Sequence, residues 1–267
     1  MKLTIVGCGN MGLIYARAFL KYDIVSSANL ILAEKNEERK QELKKLSIGK
    51  VTVVNDKEIS ESDIIIISVK PQDFNELSQG LKSVISPKSI VISIMAGINI
   101  SFIENALGTG NVVRAMPNSP AEIGLGMTAY TASKTLSMEQ VHKAENLLST
   151  TGRTVFFENE GLLDAVTALS GSGPAYFFYL VKYMIDAGKQ MGFDEGVSAM
   201  LVKQTMLGAF HLINVGNKSL DDMIKAVSSK GGTTEAAFTV FNDNKVGENL
   251  AKGILRAEQR AKELSKK

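Results

Sequence analysis

An open parallel β-sheet flanked by helices, followed by an all-helical region, is the fold class this sequence predicts: α/β in the first part, all-α in the second. Three observations predict it. Short apolar runs rich in β-branched residues recur through the first half, separated by stretches of helix length. A glycine-rich hexapeptide follows the first of these runs and opens a helix. From about Gly161 the strand signals fade and helical periodicity takes over. Continuous apolar runs belong to strands buried on both faces, as in a parallel sheet covered by helices. At 267 residues the chain is longer than one compact core needs, so two domains are expected, 1–160 and 161–267.

Leu3-Thr4-Ile5-Val6 is the first strand candidate. It runs into Gly7-Cys8-Gly9-Asn10-Met11-Gly12, which fits Gly-x-Gly-x-x-Gly, and a helix follows with Leu13, Ala16, Phe19 and Leu20 at helical spacing. The first glycine permits a tight turn, the second lets the backbone approach a pyrophosphate, and the third lets helix lie on strand. Amides at the helix start, from Asn10 and Met11 onward, then face the phosphates. In this setting the hexapeptide reads as the fingerprint of a Rossmann-type dinucleotide-binding domain. Further strands are expected at Leu30–Ala33, Val51–Val54, Asp63–Val69, Ser89–Ser93 and Asn111–Arg114.

Ligands of such sheets sit at the carboxyl ends of the strands, so the loops there are the candidate site. Glu34 lies 22 positions after Gly12, where an acidic residue binds the ribose hydroxyls and disfavours a 2′-phosphate. Lys35 and Arg39 beside it could favour that phosphate, so cofactor choice stays open between NADPH and NADH. Val69-Lys70-Pro71 follows the fourth strand, and the proline turns the chain. Met95-Ala96-Gly97-Ile98 follows the fifth and is small enough for a flat ring to approach. Arg114-Ala115-Met116-Pro117-Asn118-Ser119-Pro120 follows the sixth as a stiff turn, with the Asn118 amide as donor and acceptor.

In the second half, Gly171-Ser172-Gly173-Pro174 reads as a helix start and Gly192 as its left-handed end. Helices over Glu195–Asn214, after Ser219 and through Leu250, Ile254 and Ala257 follow. Methionines such as Met184, Met191, Met200 and Met206 read as core residues, and the surplus of apolar helix surface points to burial against a second subunit. One segment is different in kind: Ser228-Ser229-Lys230-Gly231-Gly232-Thr233-Thr234-Glu235 places small and hydroxylated residues before a helix start. Its amides could cradle an anion such as a carboxylate, or it could be a plain interhelical linker.

Composition narrows the classes. A net charge of +2 with no basic cluster interleaved with aromatics argues against nucleic acid as a partner. One cysteine, Cys8, cannot form an intramolecular disulfide, and with only two histidines there is no basis for a His/Cys zinc site, so no metal is expected. The apolar run Ser89–Ile100 is too short to span a bilayer, and Gly7–Asn10 interrupts the only leader-like segment. A cytoplasmic protein without membrane contact is expected.

Taken together these segments resemble the pyrroline-5-carboxylate reductase family over essentially the whole chain. Ser228-Ser229-x-Gly231-Gly232-Thr233-Thr234-Glu235-Ala236-Ala237 carries the resemblance most specifically, with Leu169-Ser170-Gly171-Ser172-Gly173-Pro174-Ala175-Tyr176, Val69-Lys70-Pro71 and Met116-Pro117-Asn118-Ser119-Pro120 in agreement. The resemblance implies NAD(P)H-dependent reduction of 1-pyrroline-5-carboxylate to L-proline. It implies that the amides of Gly231, Gly232 and Thr233, beside Ser229, hold the carboxylate and that Thr234 hydrogen-bonds the ring nitrogen as the catalytic residue. It also implies an obligate homodimer, often assembled into rings. The chain departs from the family pattern at Lys230, where proline is usual, and at Ser119, where threonine is usual. Many members carry a neutral polar residue and arginine at Glu34-Lys35, and this departure tilts the expectation towards NADH or dual use.

Three other readings compete. A 3-hydroxyacid dehydrogenase would need a catalytic lysine soon after the Gly-Ser-Gly turn, but the first lysine there is Lys182, too far along. A reductase of another imine, or a silent nucleotide-binding paralogue, would share the fold with a different substrate loop.

Overall fold

The structure, a computed structural model, describes residues 1–265. The first part alternates strands and helices: β1 (Leu3–Val6), α1 (Asn10–Lys21), β2 (Leu30–Ala33), α2 (Glu37–Leu46), β3 (Lys50–Thr52), β4 (Ile64–Ile67), α3 (Phe74–Lys82), β5 (Ile90–Ser93), α4 (Ile100–Leu107) and β6 (Val112–Met116). Then come β7 (Gly126–Ala132), α5 (Met138–Leu148), β8 (Gly152–Phe156) and α6 (Leu162–Val166). The rest is helical: α7 (Gly173–Gln190), α8 (Glu195–Val215), α9 (Leu220–Ala226), α10 (Thr233–Asp243) and α11 (Val246–Ser265). The α/β-then-α class read from the sequence is the architecture found.

Among the described residues the strands form one sheet in the order β3-β2-β1-β4-β5-β6-β7-β8. From β3 to β6 all pairs are parallel, with Leu3 opposite Leu30 on one side and Ile64 on the other. The period-2 geometry of a strand sends successive side chains to opposite faces, and the two cores follow it. Leu3, Ile5, Ile64 and Ile66 bury against Tyr15 and Phe19 of α1 and Leu147 of α5. Val6, Ile65 and Ile67 bury against Phe74 and Leu81 of α3 and Ile103 of α4. This is why the runs are apolar throughout rather than alternating. The chain leaves β1 towards β2 and β3, then crosses to β4 on the other side, so the crevice at the carboxyl ends of β1 and β4 is the topological switch point.

Several local expectations are corrected. The third strand is Lys50–Thr52 rather than Val51–Val54, and the sixth runs on past Arg114 through Met116, so Ala115 and Met116 are strand rather than loop. The sheet is not wholly parallel: β7 runs antiparallel to β6, and β8 pairs parallel to β7. Neither β7 nor β8 stands out in the sequence, because GMTAYTA mixes small and hydroxylated residues and β8 is only partly buried. Gly171–Pro174 does mark a helix start, since α7 begins at Gly173, but helix begins earlier than expected. The chain is already helical from Leu162 and passes through a π-helical turn, Thr167–Gly171, before α7 begins at Gly173. A Cβ on Gly171 would lie 2.5 Å from Cε of Met116, so a larger residue there would displace the end of that flexible side chain.

The chain forms two compact units: Met1–Ser172 with the chain from Ala257 onward, and Gly173–Arg256. In the second, α7 ends at Gly192, φ +98°, and Asp194 caps α8 by accepting a hydrogen bond from the Val197 amide at 2.9 Å. A Cβ on Gly188 would lie 2.7 Å from Oγ of Ser198, so α7 and α8 approach closely there. This unit buries few of its apolar side chains: Phe178 is 67% exposed and Leu212 65%. The methionines read as core residues are on its surface, with Met191 75% exposed. By length and composition α8 could also span a membrane, although the Ser89–Ile100 run cannot.

Candidate functional site

The fingerprint loop is built as its glycines require. Gly7 has φ +86°, and a Cβ there would lie 2.4 Å from Cγ1 of Val69. A Cβ on Gly12 would meet the Gly7 carbonyl oxygen at 2.4 Å, so α1 presses directly on the turn. At Gly9, the N-cap of α1, an added Cβ meets nothing within 4 Å. That open position, at a helix start, suits the backbone approach of a pyrophosphate. A dinucleotide fits these residues.

Beside the loop lies a cleft of about 470 Å³ at the carboxyl ends of β1, β2 and β4. Six of the residues expected to bind a cofactor line it: Gly7, Gly9, Glu34, Lys35, Val69 and Lys70. Asn10 and Met11 open α1, Gly12 is buried beneath the turn, and Pro71 begins the short turn after β4. Ala96 and Gly97 follow β5. Gly97, φ +74°, lies under the end of α11, where its Cβ would stand 3.0 Å from that of Leu264. Asn118 follows β6 with its amide already engaged, donating to the carbonyl and hydroxyl oxygens of Ser170 at 3.3 and 3.2 Å and accepting from the Met127 amide at 2.9 Å.

Glu34 is held by the backbone. Its carboxylate accepts from the amides of Cys8 at 3.1 Å, Lys35 at 2.9 Å and Asn36 at 3.1 Å. Arg39 reaches back to donate its Nε–H to the Cys8 carbonyl at 3.0 Å, tying α2 to the fingerprint loop. Burial pushes the Cys8 thiol up to about 12; the Glu34 charge adds to this and Arg39 opposes it, so the thiol stays protonated. Lys35 pairs with Asp73 at 3.0 Å and Glu76 at 3.5 Å. The hydrogen bond it donates to Asp73, then the two carboxylate charges, raises its ammonium above the ordinary lysine range. Asp73, Glu76 and the Val53–Asn55 segment also line the cleft and were missed in the sequence. Their signal is position alone: each follows a strand at the same sheet edge.

In the second unit the segment before α10 folds tightly. Gly231 takes φ +74°, and the Gly232 amide donates to the Ser229 carbonyl at 3.0 Å. A Cβ on Gly232 would stand 2.6 Å from Oγ of Ser229. Gly232 caps α10 without a side-chain cap bond, leaving Thr233 and Thr234 as its first residues. The Gly231 amide donates to the Glu235 carboxylate at 2.6 Å, so this turn already carries a carboxylate. Thr234 is half-buried and Thr233 exposed.

A third set of charges lies inside the first unit. Arg114 of β6, 3% exposed, donates to Glu160 at 3.0 Å and to Asp164 of α6 at 2.8 Å. Asp164 also accepts from the Ser265 hydroxyl at 3.1 Å, and Glu160 from the Ile100 amide at the start of α4 at 2.8 Å. The sequence places Arg114 at the end of a strand but shows none of these partners.

Two family models match the chain: pyrroline-5-carboxylate reductase dimerisation over residues 160–264, and NADP oxidoreductase, coenzyme F420-dependent, over residues 2–97. The pyrroline-5-carboxylate reductase of Pseudomonas aeruginosa is 32% identical, over 99% of this chain and 97% of its own. A pyrroline-5-carboxylate reductase structure from Coxiella burnetii superposes with a TM-score of 0.86 at 29% identity, covering 100% of this chain and 99% of that one. The Plasmodium falciparum pyrroline carboxylate reductase with NADP bound shares the fold at a TM-score of 0.90 and 24% identity, covering 99% of this chain and 98% of that one. Identity of this order running from the fingerprint turn to the last helix, rather than over the dinucleotide half alone, places the chain in the pyrroline-5-carboxylate reductase family.

Proposed function

We propose that this protein reduces 1-pyrroline-5-carboxylate to L-proline with NADPH or NADH. The observation that carries the reading is the presence, in a member of this family, of both a dinucleotide cleft at the switch point and a glycine turn, Ser229–Gly232, that opens a helix with no side-chain cap. Residues 1–160 would hold the cofactor, and residues 161–267 the substrate and the partner subunit.

When bound, the cofactor supplies a hydride to the imine carbon. The protein's share is to position and to exclude water, with donor and acceptor carbons about 3–3.5 Å apart. Gly7, Gly9 and the first amides of α1, from Asn10, Met11 and Gly12, take the pyrophosphate, and Glu34 and Lys35 flank the adenosine ribose. Val69, Lys70, Pro71, Ala96, Gly97 and Asn118 shape the end nearer the reacting ring. The amides of Gly231, Gly232 and Thr233, beside Ser229, hold the substrate carboxylate, for which the Gly231 amide must leave Glu235. Thr234 accepts a hydrogen bond from the protonated ring nitrogen. An iminium is already electrophilic, so this hydroxyl need only orient it; the hydride neutralises the cation and gives the amine.

Two measurements test this. NADH and NADPH oxidation followed with 1-pyrroline-5-carboxylate, and with the six-membered 1-piperideine-6-carboxylate for comparison, should show turnover on the five-membered ring; none would refute the assignment. Thr234→Ala is expected to lower kcat/KM by about tenfold to a hundredfold, the cost of one oriented hydrogen bond in a water-poor site, with cofactor affinity nearly unchanged. Equal loss of both would remove Thr234 from that role.

The exposed apolar sides of α7, α8 and α10 are assigned to a second copy of the chain, in a homodimer that assembles into a larger ring. On this assignment α8 lies against a partner rather than in a bilayer, and the protein is cytoplasmic, binding neither membrane nor nucleic acid.

A further inference from the structure

We propose that this chain selects NADH over NADPH, and that Glu34 sets the choice. The inference rests on the reading above, that the cleft holds a nicotinamide dinucleotide. NADPH differs only by a phosphate on the adenosine ribose, which in this fold lies beside the carboxyl end of β2.

That position is taken. The amides of Cys8, Lys35 and Asn36 converge on one anion, and the anion is the Glu34 carboxylate. Convergent amides are what a phosphate would use there. To seat one, the protein must either expel Glu34 from three hydrogen bonds or hold phosphate against carboxylate. Ribose hydroxyls meet neither obstacle, because they donate to a carboxylate.

The nearby cations do not compensate. Lys35 is bound to Asp73 and Glu76, and Lys40 to Glu37. Arg39 pairs with Glu42 while its Nε–H holds the Cys8 carbonyl, so turning it towards a phosphate would release the fingerprint loop. Lys70 follows β4, on the other side of β1 from Glu34. Among the lining residues, Glu34, Glu37, Asp73 and Glu76 outnumber Lys35, Lys40 and Lys70. A second negative group at the β2 edge therefore meets like charge where Lys35 and Lys40, the lysines of that side of the cleft among the described residues, are already paired.

Calorimetric titration of the full chain with 5′-AMP and with adenosine 2′,5′-bisphosphate isolates this end of the cofactor, and nucleotide fluorescence gives the affinities of NADH and NADPH. NADH is expected to bind at least about tenfold tighter than NADPH, and 5′-AMP tighter than the bisphosphate in the same sense. Glu34→Gln keeps the shape, removes the charge and should draw the ratio towards one. The ratio on the unaltered chain decides without any variant: NADPH binding as tightly as NADH, or tighter, overturns the proposal. So does a ratio unmoved in a folded Glu34→Gln protein. NADH preferred in binding, with no turnover of either imine, would refute the proposed reaction and leave this selectivity standing. No binding of any of these nucleotides would refute both.

Discussion

Gly12→Ala is expected to lose both fold stability and nucleotide binding, whereas Gly9→Ala should lose nucleotide binding alone. The two glycines stand three residues apart in one turn, yet their surroundings differ completely. A Cβ at Gly12 meets the Gly7 carbonyl at 2.4 Å and Cγ2 of Ile5 at 3.2 Å, and neither backbone nor a buried strand side chain can yield. Relief requires α1 to lift from β1, uncovering Tyr15 and Phe19, both fully buried. Overpacking of this kind costs about 3 kcal/mol, read as a lowered midpoint in urea denaturation. At Gly9 the backbone, φ −71° and ψ −160°, suits alanine and the added methyl stands in open space. Stability there should change by less than about 1 kcal/mol, mostly through the poorer N-cap. Affinity for NADH should nevertheless fall by about tenfold or more, because the methyl occupies the approach of the pyrophosphate. Unchanged NADH affinity in Gly9→Ala would show that the phosphates do not cross this turn.

Asp164→Ala is expected to be the most damaging substitution away from the cleft. It strands the Arg114 guanidinium, of which only 4% of the side chain is exposed, with Glu160 as its remaining acceptor and no carboxylate at the 2.8 Å position. Removing one partner of a buried pair costs about 3–5 kcal/mol when the charge is left uncompensated, and with Glu160 still paired to Arg114 the cost is held to about 3 kcal/mol. The Ser265 hydroxyl is left with only the Ala261 carbonyl of its own helix, so the tie from the end of α11 to α6 is lost. A double substitution, Arg114→Met with Asp164→Leu, should recover most of the loss, since replacing a buried pair with apolar groups of similar volume is often neutral. Equal destabilisation of the single and double variants in chemical denaturation would mean that shape, not charge, holds α6 to β6.

What could be read from residues alone follows from burial. β1, β2, β4 and β5 are legible because both faces are covered, so nearly every residue is apolar, with only Thr4 and Ser93 polar, and the runs stand out from loops. The fingerprint is legible because, within six residues, Gly7 and Gly12 answer local steric demands and Gly9 leaves the helix start open to a ligand. β7 and β8 were missed because small and hydroxylated residues dilute the one and partial burial the other. Gly171–Pro174 is legible as the start of α7, whereas the short helix and π-helical turn just before it, Leu162–Gly171, carry no such punctuation.

The site divides the same way. Gly7, Gly9, Glu34, Lys35, Val69 and Lys70 come together in one cleft as strand-end positions should, because a parallel sheet brings its carboxyl ends to one edge. By itself, then, the sequence determined the fold class and the edge of the sheet where chemistry belongs, since these depend on local sterics and hydrophobic periodicity, while its motifs carried the resemblance to the family. Tertiary structure alone decided what the charges do. Lys35 meets Asp73 from 38 residues away, and Arg114 meets Asp164 from 50, which in turn meets Ser265 from 101. A charge acts through space and not along the chain, so whether a lysine awaits a phosphate or is already neutralised is settled only when the chain has folded.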